Sequence, residues 1–468
     1  MHSPFEEWTV RSRLLVVASA VAFVALAVAF VASVPSLKRL IVTPDSVNYF
    51  ATASSLVHGR GFTTGLDKPA TTWMPLYPIL LACLMALVQG MTAAAAAANL
   101  LATATIFVVT WLLVREWRGR TDWLTWSAAG ATALSPAVLM QAMFALSELV
   151  FAALVLLLVY AATRAETDTR WLWCVVAVGA AVALTRHIGI FALAGVAVAW
   201  RKPKYWLALL PGVAATALWL LLAGTGDQLS GFSFQRGLDG LWRSLSGAAW
   251  VLGGWPMLGI VVVALVCWKG LRGEPNRTPL AALAFLLLTG LGSFFYVAGD
   301  LEARMQRAAH VLLTPCLLAA TEMMLAKRPV RWAVYGGFAV FAVITAASLG
   351  SPQFLSTGGM SFNTPEWRNR KTLAFIAGMP ANTDIYTNAQ DGVWFATGRV
   401  THAIPRTDGR KPKPHEDKGG LVVYFKGLNR TGFVPPEFYN DRVLRDSAGK
   451  LLVENNDEAL VMRVGKAQ

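Results

Sequence analysis

Apolar segments of roughly 20 residues recur along the first 350 positions of the chain and alternate with short polar loops. A helix needs about 20 such residues to cross the roughly 30 Å hydrocarbon core of a bilayer. The pattern therefore predicts an all-α polytopic membrane bundle of about 11 transmembrane helices. The predicted spans are 14–34, 92–114, 122–140, 144–163, 171–186, 188–200, 205–224, 248–268, 280–298, 311–326 and 331–350.

The segment 75–90 is predicted to be an interfacial or re-entrant helix rather than a span. It is short for a crossing and begins with two prolines, and leaving it out puts the basic loops on one side of the membrane. The spans 171–186 and 188–200 are short as well. They predict a broken hairpin whose tip is formed by residues 185–187.

The formal net charge of +14 is explained by Lys and Arg residues in loops, although only 15% of the residues are charged. Positive residues accumulate in the cytoplasmic loops of membrane proteins, so this charge indicates orientation rather than nucleic-acid binding. It predicts a plasma (inner) membrane protein with a cytoplasmic N-terminus. The basic loops predicted to face the cytoplasm are Arg115–Arg120, Arg164–Arg170, Arg201–Lys204, Lys269–Arg277 and Lys327–Arg331.

The last part of the chain contains no predicted span and is rich in charged residues, Pro and Gly. Short strand-like runs alternate there with helical patterns, which predicts a small α/β domain outside the membrane. The predicted domains are therefore 1–350, in the membrane, and 351–468, extracytoplasmic. The predicted strands are 384–386, 421–425, 451–453 and 459–464, and the predicted helices are 365–378 and 389–397.

Asp45 lies shortly after the first predicted span, at the start of a predicted helix. Thr43 can cap that helix and Pro44 suits its first position, so Asp45 can simply be an acid that favours the positive end of the helix. The alternative is a reactive carboxylate. Apolar residues from Val47 to Val57 recur at helical spacing, which predicts a helix on the membrane surface, and an ordered loop rich in Gly, Pro and aromatic residues follows.

Glu148 and Arg186 are ionisable residues within or beside apolar spans. A charge in the bilayer costs about 3 kcal/mol on insertion scales, so such residues usually face a bundle interior or a cavity. Local hydrogen bonds for Glu148 and lipid headgroup contact for Arg186 are the structural alternatives. Arg304 and Arg307 lie one helical turn apart in an outer loop, and paired guanidinium groups suit an anionic headgroup because they bind phosphate oxygens bidentately.

Several function classes are disfavoured by what the sequence lacks. It contains no P-loop, no GxSxG, no HExxH and no dinucleotide fingerprint. The four cysteines lie singly in apolar segments, so neither a zinc site nor a disulfide is predicted. No internal repeat is visible, which weighs against transporter folds built from inverted repeats.

The order and placement of several short motifs resemble the GT-C superfamily of membrane glycosyltransferases. The closest resemblance is to the branch that contains the protein O-mannosyltransferases and the lipid A aminoarabinose transferases, and it covers roughly residues 10–350. The motifs are Asp45–Tyr49, Gly59–Phe62 and Pro75–Pro78 in the first outer loop, followed by Ser147-Glu148, Leu184-Thr185-Arg186 and the run Arg307–Pro315.

This resemblance implies an enzyme that moves a sugar from a polyprenyl-phosphate donor to an acceptor hydroxyl on the outer side of the membrane, with inversion. Asp45 would be the general base, and Glu148 is the second expected catalytic residue. The acceptor would be a glycan, a lipid or a protein. The residues expected to bind the donor phosphate are Arg304, Arg307, Arg186 and Lys68, and the expected substrate contacts are Tyr49, His58, His187 and His310.

Asp45 is followed by Ser46, whereas some GT-C enzymes have an acidic pair there that holds a divalent metal. We therefore expect no metal and no other cofactor, although Glu148 would complete a site if a metal were needed. Two other functions stay open: a transporter or flippase of an amphipathic anionic lipid-linked substrate, and a non-catalytic GT-C-like envelope assembly protein. The predicted charges gather at one face of the membrane, which favours surface chemistry over transit.

Overall fold

The structure is a computed structural model, and it describes residues 40–64, 69–70, 73–119, 121, 123–223, 234–235, 238, 277–292, 311–312, 361–403, 420–425, 451–455 and 458–464. The described residues form two compact units. The first unit contains those from 73 to 312, and the second contains 40–64 and 69–70 together with those from 361 to 464.

The described chain is mostly helical, with one sheet. The helices are α1 (Pro44–Val57), α2 (Leu76–Leu87), α3 (Met91–Arg118), α4 (Trp123–Ala133), α5 (Pro136–Ala142), α6 (Glu148–Arg164), α7 (Trp171–Thr185), α8 (Gly189–Trp200), α9 (Pro203–Ala223), α10 (Thr278–Gly292), α11 (Pro365–Arg368), α12 (Lys371–Gly378) and α13 (Gln390–Thr397). The strands are β1 (Ile385–Thr387), β2 (His402–Ala403), β3 (Gly420–Phe425), β4 (Leu451–Asn455) and β5 (Ala459–Val464).

Most of the predicted spans that fall on described residues coincide with single helices. Among the described helices, the segments Met91–Arg118 and Pro203–Leu222 are long and apolar enough to cross a membrane. The predicted spans 14–34, 248–268 and 331–350, and 311–326 apart from residues 311–312, lie outside the described residues. The total of eleven crossings therefore stays a prediction. The spans that coincide with one helix are 92–114, 144–163, 171–186, 188–200 and 205–224, and the described part of 280–298 lies within α10.

The predicted span 122–140 is wrong as a single helix, because the structure divides it into α4 and α5. The last turn of α4 tightens, since the amide of Ser135 donates to the carbonyl oxygen of Thr132 at 3.2 Å. Pro136 follows, and its missing N–H cannot continue the helical ladder. The Oγ of Ser135 then accepts from the amide of Val138 at 3.4 Å, which caps the new helix.

The helix α2, in the predicted non-spanning segment 75–90, has 12 residues. At 1.5 Å per residue it is about 18 Å long, well short of the roughly 30 Å core of a bilayer. It packs on α3 and also touches α7 within the first unit. Its length agrees with the predicted interfacial or re-entrant helix.

The helices of the first unit pack closely where glycine removes a side chain. A Cβ on Gly195 of α8 would lie 2.9 Å from the carbonyl oxygen of Ala281 in α10. A Cβ on Gly212 of α9 would lie 3.0 Å from the carbonyl oxygen of Gly179 in α7. Small residues at such crossings let helix backbones approach each other, which is a main source of association between helices in lipid.

The predicted basic loops of the first unit meet at one end of the helices. Three contacts join them, and each connects a basic side chain to a different neighbouring loop or helix end. Because α6 runs towards this end and α7 runs away from it, the start of α6 and the end of α7 lie at the opposite end. The contacts are Arg164 with Glu116 at 3.0 Å, Lys202 with Glu166 at 2.6 Å, and Arg277 with the carbonyl oxygen of Trp200 at 2.6 Å.

The second unit is built on a mixed five-stranded sheet of order β2-β1-β3-β5-β4. β1 is parallel to both β2 and β3, and β5 is antiparallel to β3 and β4. All four predicted strands are present, whereas β2 is an additional strand. The predicted helix 365–378 is wrong in one respect: it is two helices, α11 and α12, separated at Asn369 and Arg370.

The break between α11 and α12 is caused by tertiary packing. The backbone of Arg370 is extended, with φ −63° and ψ 127°. Its guanidinium carbon lies 5.1 Å from the ring centre of Trp367 and 5.7 Å from that of Phe425. Burial lowers the pKa of Arg370, and the charge of Glu458 acts in the opposite direction. These long-range contacts override the local helical pattern.

Candidate functional site

Glu148 and Arg186 form a buried ion pair within the first unit. Oε1 of Glu148 lies 3.0 Å from Nη1 of Arg186, and the two side chains are 5% and 11% exposed. The same nitrogen of Arg186 donates to the Oγ of Ser147 at 3.0 Å. The sequence singled out both charges separately, and the structure shows that they are partners.

Helix geometry brings these two residues together. α6 begins at Glu148, and α7 ends at Thr185, one residue before Arg186. The two helices pack against each other and are joined by a short loop, so the start of one lies beside the end of the other. Arg186 has an extended backbone, with φ −151° and ψ 147°, which forms the predicted tip of the broken hairpin before α8.

The surroundings of the pair suit both charges. Glu148 lies in the first turn of α6, where the positive end of the helix dipole favours a carboxylate. The guanidinium of Arg186 is bound to Glu148 and Ser147, so two protein groups hold it in place. His187 follows directly and is half-buried. The arrangement keeps a permanent cation at the end of the unit opposite the basic loops.

In the second unit, Asp45 lies in the first turn of α1, as its neighbours predict. Thr43 is the N-cap, and its side chain accepts from the amide of Ser46 while the Ser46 side chain accepts from the amide of Thr43. Pro44 occupies the first turn, where its missing N–H costs nothing. The carboxylate of Asp45 is partly exposed. Helix initiation therefore explains why Asp45 is placed here, and it leaves the acid accessible to chemistry.

The apolar face of α1 is packed inside the protein over much of its length, and its predicted position on the membrane surface stays a prediction. Val47 and Phe50 are 1% and 0% exposed, and Tyr49 is buried as well. The ring of Phe50 stacks on that of Phe395 in α13 at 6.0 Å between centres. His58 at the end of α1 is exposed, and its Nδ1 lies 2.7 Å from the carbonyl oxygen of Ser54.

The segment before α1 is hydrogen-bonded to the start of the tail. The amide of Val42 donates to the Oγ of Ser361 at 2.9 Å, and its carbonyl oxygen accepts from the amide of Phe362 at 2.9 Å. The Nδ2 of Asn363 donates to the carbonyl oxygen of Leu40 at 3.1 Å. The predicted division assigned this segment to the domain 1–350, whereas the contacts group it with the tail.

A second carboxyl group, Asp391, lies within the electrostatic reach of Asp45. Asp391 is in the first turn of α13 and is half-buried. Burial, followed by the negative charge of Asp45, raises the pKa of Asp391 to about 6. Sequence reasoning did not find Asp391, because only the packing of α13 on α1 places the two acids on neighbouring helices.

The other predicted site residues lie outside the described residues. These are Lys68 among the first-loop residues and Arg304, Arg307 and His310 in the late outer loop. Within the described parts of the chain, no group of three or more His, Cys, Asp or Glu side chains is placed to hold a metal ion. The expected roles of the site residues stay predictions.

Solved structures share this fold, although no known protein family and no curated protein matches the sequence. The crystal structure of ArnT from Cupriavidus metallidurans bound to undecaprenyl phosphate has a TM-score of 0.61 and 14% identity, and the match covers 95% of this chain and 98% of that one. The apo state of the same ArnT has a TM-score of 0.61 and 13% identity, with coverage of 97% and 99%.

The chain thus shares its fold with these two crystal structures over nearly its whole length. The particular fold is that of ArnT. The predicted resemblance is confirmed at the level of the fold. It also extends further along the chain than the motifs indicated, because the match includes nearly all of it.

Proposed function

We propose that this chain is an integral-membrane glycosyltransferase that moves a sugar from a polyprenyl-phosphate donor to an acceptor hydroxyl. The observation that carries the proposal is the fold shared with ArnT over 95% of the chain, because the ArnT crystal structure contains undecaprenyl phosphate. A polyprenyl phosphate is a long apolar chain with an anionic head. It suits a helical membrane protein that holds an arginine near the end of its bundle.

The proposed orientation follows from charge. The end of the first unit where the loops around Arg164, Lys202 and Arg277 meet faces the cytoplasm, because basic loops are retained on that side. Glu148 and Arg186 then lie towards the outer side of the inner membrane. The N-terminus is cytoplasmic, and the C-terminal domain is extracytoplasmic.

Asp45 is the proposed general base. Its carboxylate accepts the proton of the acceptor hydroxyl as that oxygen forms a bond to the anomeric carbon of the donor sugar. The bond from the anomeric carbon to the phosphate oxygen breaks at the same time, and the polyprenyl phosphate leaves as a phosphate monoester. Attack on the face opposite the leaving group inverts the anomeric centre, through an oxocarbenium-like transition state.

Cations are proposed to stabilise the negative charge that develops on the departing phosphate. Such groups act most strongly when they are fixed before the reaction. Arg186 meets this requirement, because Glu148 and Ser147 hold its guanidinium. In this proposal Glu148 contributes by holding Arg186. Arg304, Arg307 and Lys68 are further proposed donor-phosphate ligands, on the grounds of their sequence.

The test measures binding and transfer with the purified full-length protein in lipid nanodiscs. Binding of undecaprenyl phosphate is followed by native mass spectrometry. Transfer is followed from undecaprenyl-phosphoryl pentoses and hexoses to lipid A, a polysaccharide or a protein extract. The Asp45→Asn variant is expected to lower transfer by about 10²–10⁴-fold with little effect on binding. The matched control is Asp168→Asn, which removes a partly exposed acid from the loop between α6 and α7 of the first unit.

Retained transfer in Asp45→Asn would remove Asp45 from the mechanism. Binding of undecaprenyl phosphate without transfer from any donor would contradict a transferase and favour a non-catalytic assembly protein. Movement of the intact donor across proteoliposomes, without loss of its sugar, would favour the flippase.

A further inference from the structure

The first turns of α1 and α13 carry an acid each, and the two helices pack against each other in the second unit. Asp45 is in the first turn of α1, and Asp391 is in the first turn of α13. The packing is anchored further along both helices, where the rings of Phe50 and Phe395 stack with an interplanar angle of 22°. Two carboxyl groups from distant parts of the chain are thus held on neighbouring helices.

One short segment of the tail, residues 361–367, fixes the backbone beside both acids. At one end, Ser361 and Phe362 bond to both backbone groups of Val42, three residues before Asp45. At the other end, the indole Nε1 of Trp367 donates to the carbonyl oxygen of Gly392, the residue after Asp391, at 3.2 Å. A Cβ on Gly392 would lie 2.5 Å from the Trp367 ring, so Trp367 packs directly against the backbone of Gly392.

Among the described residues, Asp45 is the charged group that affects the pKa of Asp391. The basic side chains near α13 have other contacts or are exposed. Arg368 lies over the Phe395 ring at 5.7 Å, and Lys371 on α12 is exposed. The guanidinium of Arg399 donates to the carbonyl oxygens of Ile376 and Met379. Burial of Asp391 and the charge of Asp45 both favour the neutral form of Asp391, and they raise its pKa to about 6.

We propose that Asp391 is a positioning residue of the C-terminal domain whose charge sets the proton affinity of the Asp45 base. This inference rests on the proposed function. Coupling between two carboxyl groups is reciprocal, so ionisation of Asp391 makes Asp45 a stronger base. A stronger base takes the acceptor proton more readily. The tail therefore contributes to the basicity of the first-loop acid.

The first test is spectroscopic and needs no substrate. Infrared difference spectra between the wild type and Asp391→Asn, recorded from pH 4 to pH 8, isolate the protonated carboxyl band of Asp391, which is expected to titrate near pH 6. In the Asp45→Asn background the midpoint is expected to fall by about 1 pH unit, because the neighbouring charge is gone. An unchanged midpoint in that background would overturn the inference, whatever happens to transfer.

The second test uses the pH profile of transfer from the undecaprenyl-phosphoryl donors. Asp391→Asn is expected to lower the maximal transfer rate about 3- to 10-fold, because Asp45 loses the effect of the neighbouring charge and becomes a weaker base. For the same reason the acid limb of the rate profile should move to lower pH. Asp391→Glu keeps the charge and is expected to restore most of the profile. Asp384→Asn, an exposed acid of the same domain, is the control and should leave the profile unchanged.

The outcomes separate the two proposals. If the infrared midpoint of Asp391 shifts in the Asp45→Asn background but the wild type transfers no sugar, the proposed function is contradicted and the inference stands. Transfer by the wild type with an acid limb that does not move in Asp391→Asn overturns the inference and leaves the proposed function standing. A purely structural Asp391 would change stability in all variants without moving the limb.

Discussion

The 3.0 Å contact between Glu148 and Arg186 joins the first residue of α6 to the residue that directly follows α7. Both side chains are almost fully removed from solvent, so each charge depends on the other. The pair fixes the turn between α7 and α8 at the end of the unit opposite the basic loops. Removing one partner alone should therefore destabilise that turn more than removing both.

We expect Glu148→Leu and Arg186→Leu, each made alone, to lower the free energy of unfolding by about 3–5 kcal/mol, because each leaves a buried charge without its partner. The double variant should recover a large part of this loss. Denaturant unfolding in micelles, followed by tryptophan fluorescence, measures all three.

The partly exposed pair Arg164 and Glu116 provides the control at the other end of the unit. Exposed pairs contribute about 1 kcal/mol or less, so Glu116→Leu should change the unfolding free energy by no more than that. Equal losses from Glu148→Leu and Glu116→Leu would contradict the interpretation of a buried, interdependent pair.

The stability of the second unit should depend on pH through Asp391. The pKa of Asp391 is raised from 3.8 to about 6 in the folded protein, so folding favours its neutral form. The contribution of Asp391 to the free energy of unfolding is complete below pH 3.8, and it is lost as the pH rises through about 6. Asn resembles the neutral acid, so the wild type should lose stability relative to Asp391→Asn as the pH rises. The difference between their free energies of unfolding should grow by up to about 3 kcal/mol from pH 4 to pH 7.5.

Unfolding measured at both pH values provides that comparison. Asp384→Asn is the control, because Asp384 is exposed in the same domain. A difference between Asp391→Asn and the wild type that is the same at both pH values would contradict the raised pKa.

Gly392→Ala should destabilise the second unit by about 1–3 kcal/mol, because overpacking forces neighbouring groups to move. Its Cβ would lie 2.5 Å from the ring of Trp367 and 2.6 Å from that of Phe362. Gly378→Ala in α12 is the matched control, since nothing lies within 4 Å of its Cβ. If thermal unfolding shows Gly378→Ala to be less stable than Gly392→Ala, the segment 361–367 does not hold α13 in place by close packing.

Gly195→Ala should weaken the packing of α8 on α10. The new Cβ would lie 2.9 Å from the carbonyl oxygen of Ala281, and backbone atoms cannot give way as a flexible side chain can. We expect a loss of about 1–3 kcal/mol in the free energy of unfolding. Gly130→Ala in α4, which meets nothing within 4 Å, should be neutral or slightly stabilising.

The hydrogen bonds around Val42 determine how the tail has to be tested. Deleting residues 360–468 would remove Ser361, Phe362 and Asn363, which bind the backbone just before α1. A loss of activity after that deletion would not show that the tail binds the acceptor. Point variants such as Asp391→Asn, which leave the backbone contacts in place, are therefore the more informative experiments.

The sequence by itself determined the features that depend on local pattern. Apolar length predicted α3, α6, α7, α8, α9 and α10, and the Thr43-Pro44 pair predicted the start of α1. Both depend on periodicity and on capping groups within a few residues, which a single stretch of chain contains completely. The cost of a charge in an apolar span also singled out Glu148 and Arg186.

Only the tertiary structure decided which of these residues meet. The pairing of Glu148 with Arg186, the packing of the helices that carry Asp45 and Asp391, and the contact of Arg370 with Phe425 all join residues from different elements. Contacts of this kind depend on how helices and strands pack, and packing is the sum of many weak interactions that no local pattern records. The first-loop helix was therefore placed correctly along the chain, whereas its partner in the tail emerged only from the fold.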